Sequence, residues 1–133
     1  MSDYLEVQLR KHLFRTGSFT KPTALWISLH TADPTDAGSG AEVSGGNYAR
    51  QELDPGDANW SGVSATDGLA KNLTAITFPA PTAGWGTVTH FAIWDAGSGG
   101  NMLISAALTT PKVVNSGDGA PFFDVNTLVV TFA

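Results

Sequence analysis

Apolar residues recur along this chain in two rhythms. Over residues 3–16, Leu5, Leu9 and Leu13 stand four apart and share one stripe of a helix, with Tyr4, Val7 and Phe14 roughly opposite. Asp3 suits the N-cap, with Glu6 three residues later as its reciprocal partner. Gly17 suits a left-handed stop, and Arg10, Lys11 and Arg15 sit toward the negative end of the helix dipole. A helix apolar on two sides has two surfaces to bury. The leucine stripe is expected to face its own domain. Tyr4, Val7 and Phe14 are expected to point away, toward a loop of the same chain or a neighbouring subunit.

After Lys21-Pro22 the period drops to two. Leu25, Ile27 and Leu29 alternate with Trp26, Ser28 and His30 across 23–31, which predicts a strand. Weaker strands are expected at 47–53 and 59–65, an alternating strand at 73–80 that stops at Pro79, then a hairpin of 86–95 and 101–109 closed by a loop at 96–100. Within that hairpin Phe91, Ile93, Met102 and Ile104 are candidate core residues. A short "KVVN" and a β-branched 127–132 end the series. Seven or eight short strands with turn signals between them predict a mainly β fold, an antiparallel β-sandwich or jelly-roll-like domain with one N-terminal α-helix. The expected organisation is a single domain over 1–133, the helix at 3–16 and the sandwich at 23–132. Loops 32–46, 54–72 and 115–121 are long for a small domain, and all or part of 32–46 is expected to contact other protein chains rather than a metal.

Composition sharpens this picture. Only 14% of the 133 residues are charged, so the surface is largely Ser, Thr, Gly, Asn and Ala, cheap to desolvate and suited to tiling against other chains. A net charge of −5 argues against sequence-independent nucleic-acid binding. With no cysteine, disulfides and thiolate zinc sites are excluded. The charged N-terminus does not read as a signal peptide, and no apolar run reaches membrane-spanning length. The chain therefore reads as soluble and made in the cytoplasm, and the sequon at Asn72-Leu73-Thr74 as a coincidence.

Candidate chemistry is sparse. Phosphate-binding and nucleophile-elbow glycine motifs are missing, and Gly97-Ser98-Gly99-Gly100 lies between two strands rather than before a helix. It reads as a turn. His12, His30 and His90 lack metal-ligand spacing, and His90 reads as a hydrogen-bonded histidine on a packed face. The acidic loops lack a calcium pattern. No catalytic, cofactor or metal residues are assigned, and the reading is non-enzymatic. Trp26 and Trp94 are expected in the core. Trp60 and Trp85, near glycine in loops, join Tyr4, Val7 and Phe14 as candidate partner-contact residues, with packing preferred over sugar binding.

"TALWISLHTADPTDAG", "EVSGGNYARQ", "ITFPAPTAGWGTVTHFAIWDAGSGGNMLISAALTTPKVVNSGD" and "LVVTF", in that order, resemble the small virion proteins of tailed bacteriophages, known as tail fibre or capsid decoration (cement) proteins. Glu42–Gln51 and Trp85–Phe91 are the most specific pieces. The resemblance implies a repeated, non-enzymatic part of a particle, synthesised in the host bacterial cytoplasm and located in the virion. Its implied partners are other virion proteins, the major capsid protein or tail proteins, in a homo-oligomer or symmetric multicopy assembly, without nucleic acid or membrane. A decoration protein on the outside of the head is the first expectation. A tail, baseplate or tail-fibre component is the second, and a carbohydrate-binding host-adsorption domain the third.

Overall fold

Trp26–His30 (β1) pairs on both sides, and that places it near the middle of a four-stranded sheet. The computed structural model describes residues 1–62 and 68–132. In chain order the elements are helix α1 (Asp3–Phe14), β1, β2 (Gln51–Glu52), β3 (Leu69–Lys71), β4 (Ile76–Thr77), β5 (Gly86–Trp94), β6 (Met102–Val114), β7 (Phe122–Phe123) and β8 (Val129–Thr131). The main sheet runs β2-β1-β5-β6, and β3 with β8 and β4 with β7 form two short ribbons. All these pairings are antiparallel. The fold is thus mainly β with one short helix, its second layer divided into two ribbons.

Alternation along β1 decides what each face of the sheet meets. Ile27 and Leu29 join Phe91 and Ile93 of β5 in the main core, which the ribbons close with Ile76, Phe78, Leu128 and Val130. Trp26, Ser28 and His30 point to the other face, beside Ala92, Trp94 and Met102. That face is also covered. Residues 41–43 run along the edge of β1, with Val43 N–H donating to Leu29 O and Thr31 N–H to Ala41 O, while Gly38 lies against Trp94 and Met102 and Arg50 lies over the Trp94 ring. Pro34 and Arg50 are buried, and Val43 joins Ile27 and Leu29 in the main core on the opposite face. Within 32–46, Pro34 and Val43 are buried while most of the other residues are exposed to solvent.

The hairpin of β5 and β6 forms as its alternation predicts, and Phe91, Ile93 and Met102 are buried while Ile104 is half-buried. Its second strand is longer than expected. "KVVN" is not separate but the end of β6, reached across a bulge in which Leu108–Pro111 oppose the single residue Thr89. Pro111 cannot donate to a ladder, and a bulge is where a strand tolerates it. β3 falls within the expected loop 54–72, and β7 falls in a stretch assigned to no element. The expected strand at 59–65 reduces to a bridge between Trp60 and Asn72, and its residues 63–65 lie outside the described residues.

A second bulge positions the helix. Between Ile93–Ile104 and Trp94–Met102 the register shifts, leaving Leu103 without a partner residue on β5. Ser2 uses the carbonyls this frees: its N–H donates to Leu103 O and its hydroxyl to Met102 O. The same hydroxyl accepts from Leu5 N–H, so Ser2, not Asp3, is the N-cap. Both residue types cap helices, and the tertiary anchor chooses between them. At the other end Arg15 leaves in an extended conformation and Gly17 is not the left-handed stop. The helix ends at Phe14, two residues early.

Asn72 shows why its sequon is not a surface feature. Fully buried, its carboxamide donates to Thr74 O and Asp124 O, both at 2.9 Å, and accepts from Leu128 N–H at 2.9 Å. Every polar position of that side chain lies within reach of the backbone that joins the two ribbons.

Candidate interaction surface and the polar clasp beneath it

The sequence places Glu42, Tyr48 and Arg50 within nine residues, and the structure gathers them on the polar side of β1. Asn47 and Gly46, both with positive φ (66° and 55°), bend the chain so that Tyr48 and Arg50 turn inward. A Cβ on Gly46 would stand 2.8 Å from Ala83 O and 2.9 Å from Trp85 Nε1, so only glycine fits. Arg50 holds Glu42 through two parallel bonds, Nε to Oε1 at 2.8 Å and Nη2 to Oε2 at 2.7 Å. Its Nη1 donates to Ala96 O at 2.8 Å and Gly99 O at 2.9 Å. The guanidinium carbon lies 3.9 Å from the centre of the Trp94 ring. At 9% exposure this is a cation satisfied from every side.

This arrangement explains the bare glycine hairpin tip. Two of its carbonyls are Arg50 ligands, and Asp95 fastens its base by accepting from Asn101 N–H and Nδ2 at 2.7 and 2.8 Å. Gly100, at φ 74°, is required because a Cβ there would approach Asp95 Oδ1 to 2.5 Å. The loop is a receptor for the chain's own arginine.

A second relay lies beneath the first. Trp94 Nε1 donates to Ser28 Oγ at 2.7 Å, and Ser28 Oγ lies 2.8 Å from His30 Nε2. His30 Nδ1 faces Gly40 O at 3.2 Å, an atom that only accepts. Nδ1 therefore carries a proton, and in the neutral imidazole, the form that burial favours, Ser28 donates to Nε2. Burial lowers the His30 pKa from its ordinary 6.5, reinforced by Arg50 and His90, against the opposing pull of Gly40 O and Glu42. Burial alone would raise Glu42, yet the hydrogen bonds and charge of Arg50, with the Tyr48 hydroxyl, hold it below its ordinary 4.5. Tyr48 donates to Glu42 Oε1 at 3.0 Å and accepts from Leu29 N–H at 3.0 Å, and burial pushes its phenol well above the usual range.

These shifts fix the sign of the acid response. Both His30 and Glu42 bind protons more readily unfolded than folded. The His30 contribution is complete above pH 6.5 and is lost as pH falls through its lower folded value. The Glu42 contribution is complete above about pH 4.5 and is lost below it. Thermal melts should therefore drop in two stages on acidification, and His30→Asn should remove the upper one. A midpoint flat from neutral pH down to the Glu42 range would contradict the assignment.

The clasp leaves the sequence-predicted contact residues in different places. Trp85 is 5% exposed, its indole N–H donating to Gly46 O at 2.9 Å and its ring edge-on to Tyr48, so it is a core group rather than a partner contact. Trp60 is half-buried against the core with its N–H on Leu53 O at 3.3 Å. Tyr4 is half-buried beside Leu9, and so does not point away as expected. Leu13, expected to face the sandwich, is 68% exposed. The correction has one cause. Ser2 anchors the first turn to β6, so only the N-terminal half of α1 docks, through Leu5, Tyr4 and Leu9, and the last turn overhangs. Val7 is exposed along its side, and Phe14 is 79% exposed at its tip.

Sequence reasoning missed Arg50 and Glu42 as partners. The one signal was an arginine eight residues from a glutamate across a glycine-rich segment that carries no continuous helix or strand pattern. His90 is half-buried and lies 2.8 Å from Thr89 Oγ1, as its packed-face reading anticipates. Among the described residues, no group of three or more His, Asp or Glu side chains is arranged to hold a metal ion, and no helix is long and apolar enough to cross a membrane.

The clasp also shows what the most recognisable stretches of this chain do: Glu42–Gln51 carries Glu42, Tyr48 and Arg50, and Trp85–Phe91 carries the indole that receives the Gly46 turn. They preserve a fold. No curated protein matches the chain. The family model described as podophage GP4 fiber I protein gp80 matches residues 1–131, from before the cap serine through the last strand. On that match the chain belongs to the podophage GP4 fiber I protein gp80 family, and is a structural component of a phage virion.

Proposed function

We propose that this chain is a non-enzymatic, multicopy building block of a virion fibre, attached to other virion proteins by its overhanging helix end. The observation that carries the reading is a contrast. Every buried side-chain nitrogen and oxygen among the described residues has a hydrogen-bond partner, so the polar interior is occupied with holding the fold. The largest unspent groups are instead apolar and exposed, foremost Leu13 and Phe14. Such a surface suits docking, and copies repeated along a particle turn weak contacts into firm attachment.

Capsid decoration, the first expectation from sequence, is the second reading. The neutral, tile-like surface favours it, while membership of a fibre-protein family favours the fibre. Immunogold labelling of gradient-purified particles with an antibody to this chain separates them. Gold along fibres is the expected result, and gold over the head overturns the fibre in favour of decoration. A chain absent from purified particles overturns both.

A further inference from the structure

The exposed helix end has a counterpart on the same molecule. A groove of about 390 Å³ opens beside the ribbon of β3 and β8, with Ile93, Leu103 and Val130 in its floor and Trp60, Ile104 and Phe132 along its sides. Its lining is overwhelmingly apolar, and Phe132 is half exposed. The chain's own Phe14, largely exposed at the end of α1, does not fill it.

Charge is divided unevenly along the chain. Four of the seven cations but only two of the twelve carboxylates fall in residues 1–21, so that segment carries +2 and the remainder −7. On the helix, Arg10 and Lys11 stand one turn before Phe14 on its side of the axis, and Arg15 follows it, all three exposed. On the groove, the wall formed by Pro55, Gly56 and Asp57 continues directly from Asp54 and Glu52. Local desolvation, with the charge and hydrogen bond of the adjacent Asp54, pushes the Glu52 carboxyl up, and Glu52, Asp54 and Asp57 are all exposed. Lys21, on the N-terminal side, is the cation among the groove residues.

We infer that the groove receives the last turn of α1 from a second copy of this chain, with Phe14 as the buried anchor and Arg10, Lys11 and Arg15 set against the Asp54–Asp57 edge. An aromatic anchor in an apolar pocket ringed by complementary charge is the usual build of an interface hot spot. Knob and groove are different patches of one molecule, so two copies that exchange them reciprocally about a two-fold close a dimer, and copies that follow one another form a row or a ring. This deepens the multicopy reading above, yet is tested on the isolated chain.

Sedimentation velocity on the full chain over a range of concentrations should show association that high salt weakens. Phe14→Asp removes the knob and Phe132→Arg places a cation in the groove, and each should weaken association roughly 10- to 100-fold. Mixed together, the two variants should form a 1:1 dimer and nothing larger, because one intact knob meets one intact groove. If Phe132→Arg loses its thermal transition, Asp57→Lys, on an exposed side chain, takes its place. A wild-type chain that stays monomeric, or a mixture that does not dimerise, overturns the inference. Either result leaves attachment to the virion, read by gold labelling, as a separate question.

Discussion

Replacing Arg50 with Met is expected to destabilise the folded chain by about 3 kcal/mol, a large part of the ~5–15 kcal/mol that holds a typical domain together. The substitution keeps much of the stem's bulk but removes four hydrogen bonds and the stacked charge over Trp94. The larger cost lies in what stays behind. Glu42, whose side chain is 28% exposed, loses the cation that keeps it ionised, and the carbonyls of Ala96 and Gly99 lose their donor. The exposure of Glu42 keeps the figure at the lower end for a broken buried pair. Arg50→Lys retains the charge without the planar fork, and about 1–2 kcal/mol is expected. Urea unfolding followed by tryptophan fluorescence gives both values. Glu42→Gln combined with Arg50→Met should cost less than the two single changes added together, since they share one interaction. Strict additivity would show that the pair does not act as a unit.

Phe78→Ala should cost about 3–5 kcal/mol, the usual range for emptying a buried aromatic site. Phe78 is 1% exposed, lies parallel to Tyr48 at 6.2 Å between centroids, and meets Phe123 edge-on at 6.3 Å. Its N–H also donates to Pro121 O at 2.8 Å, beside the ribbon of β4 and β7. That ribbon has only two paired positions, Ile76 with Phe123 and Thr77 with Phe122, too few for its backbone bonds to hold it alone. The ring clamps the ribbon to the sheet. With an unfolding slope of ~2 kcal/mol per molar urea, the midpoint should fall by about 1.5–2.5 M. Phe78→Leu, which keeps most of the volume, should cost about 1.5 kcal/mol or less. If Ala and Leu prove equal, the ring itself is not the clamp.

The same sequence residues show which structure was legible and which was not. The alternation in 23–31, 86–95 and 101–109 predicts β1, β5 and β6 because each of those strands packs a continuous face, and a period of two survives wherever burial enforces it. β7 escapes notice because a two-residue strand has no period. Phe122 is 63% exposed while Phe123 is packed on the core, and adjacent phenylalanines look alike in sequence. The Leu5, Leu9, Leu13 stripe is real as a helical pattern. How far along it the helix docks depends on the Leu103 bulge, a feature of β6 about a hundred residues away.

The clasp follows the same division. That Glu42, Tyr48 and Arg50 belong together is latent in their nearness along the chain, and the glycine tip reads correctly as a turn. Only the fold brings Ala96 O and Gly99 O to Arg50 Nη1, forty-six and forty-nine residues along the chain, and sets the guanidinium on Trp94. What the sequence determined by itself is what local physics enforces: strands where side chains alternate, a helix where leucines recur every four residues, a bend where glycines gather, and a surface poor in charge. What the tertiary structure alone decided is which of two capping residues caps, which tryptophan is core, and which end of the helix stands free. Each of those depends on a carbonyl or a cavity supplied by a distant segment, and no local pattern of side chains encodes where that segment lies.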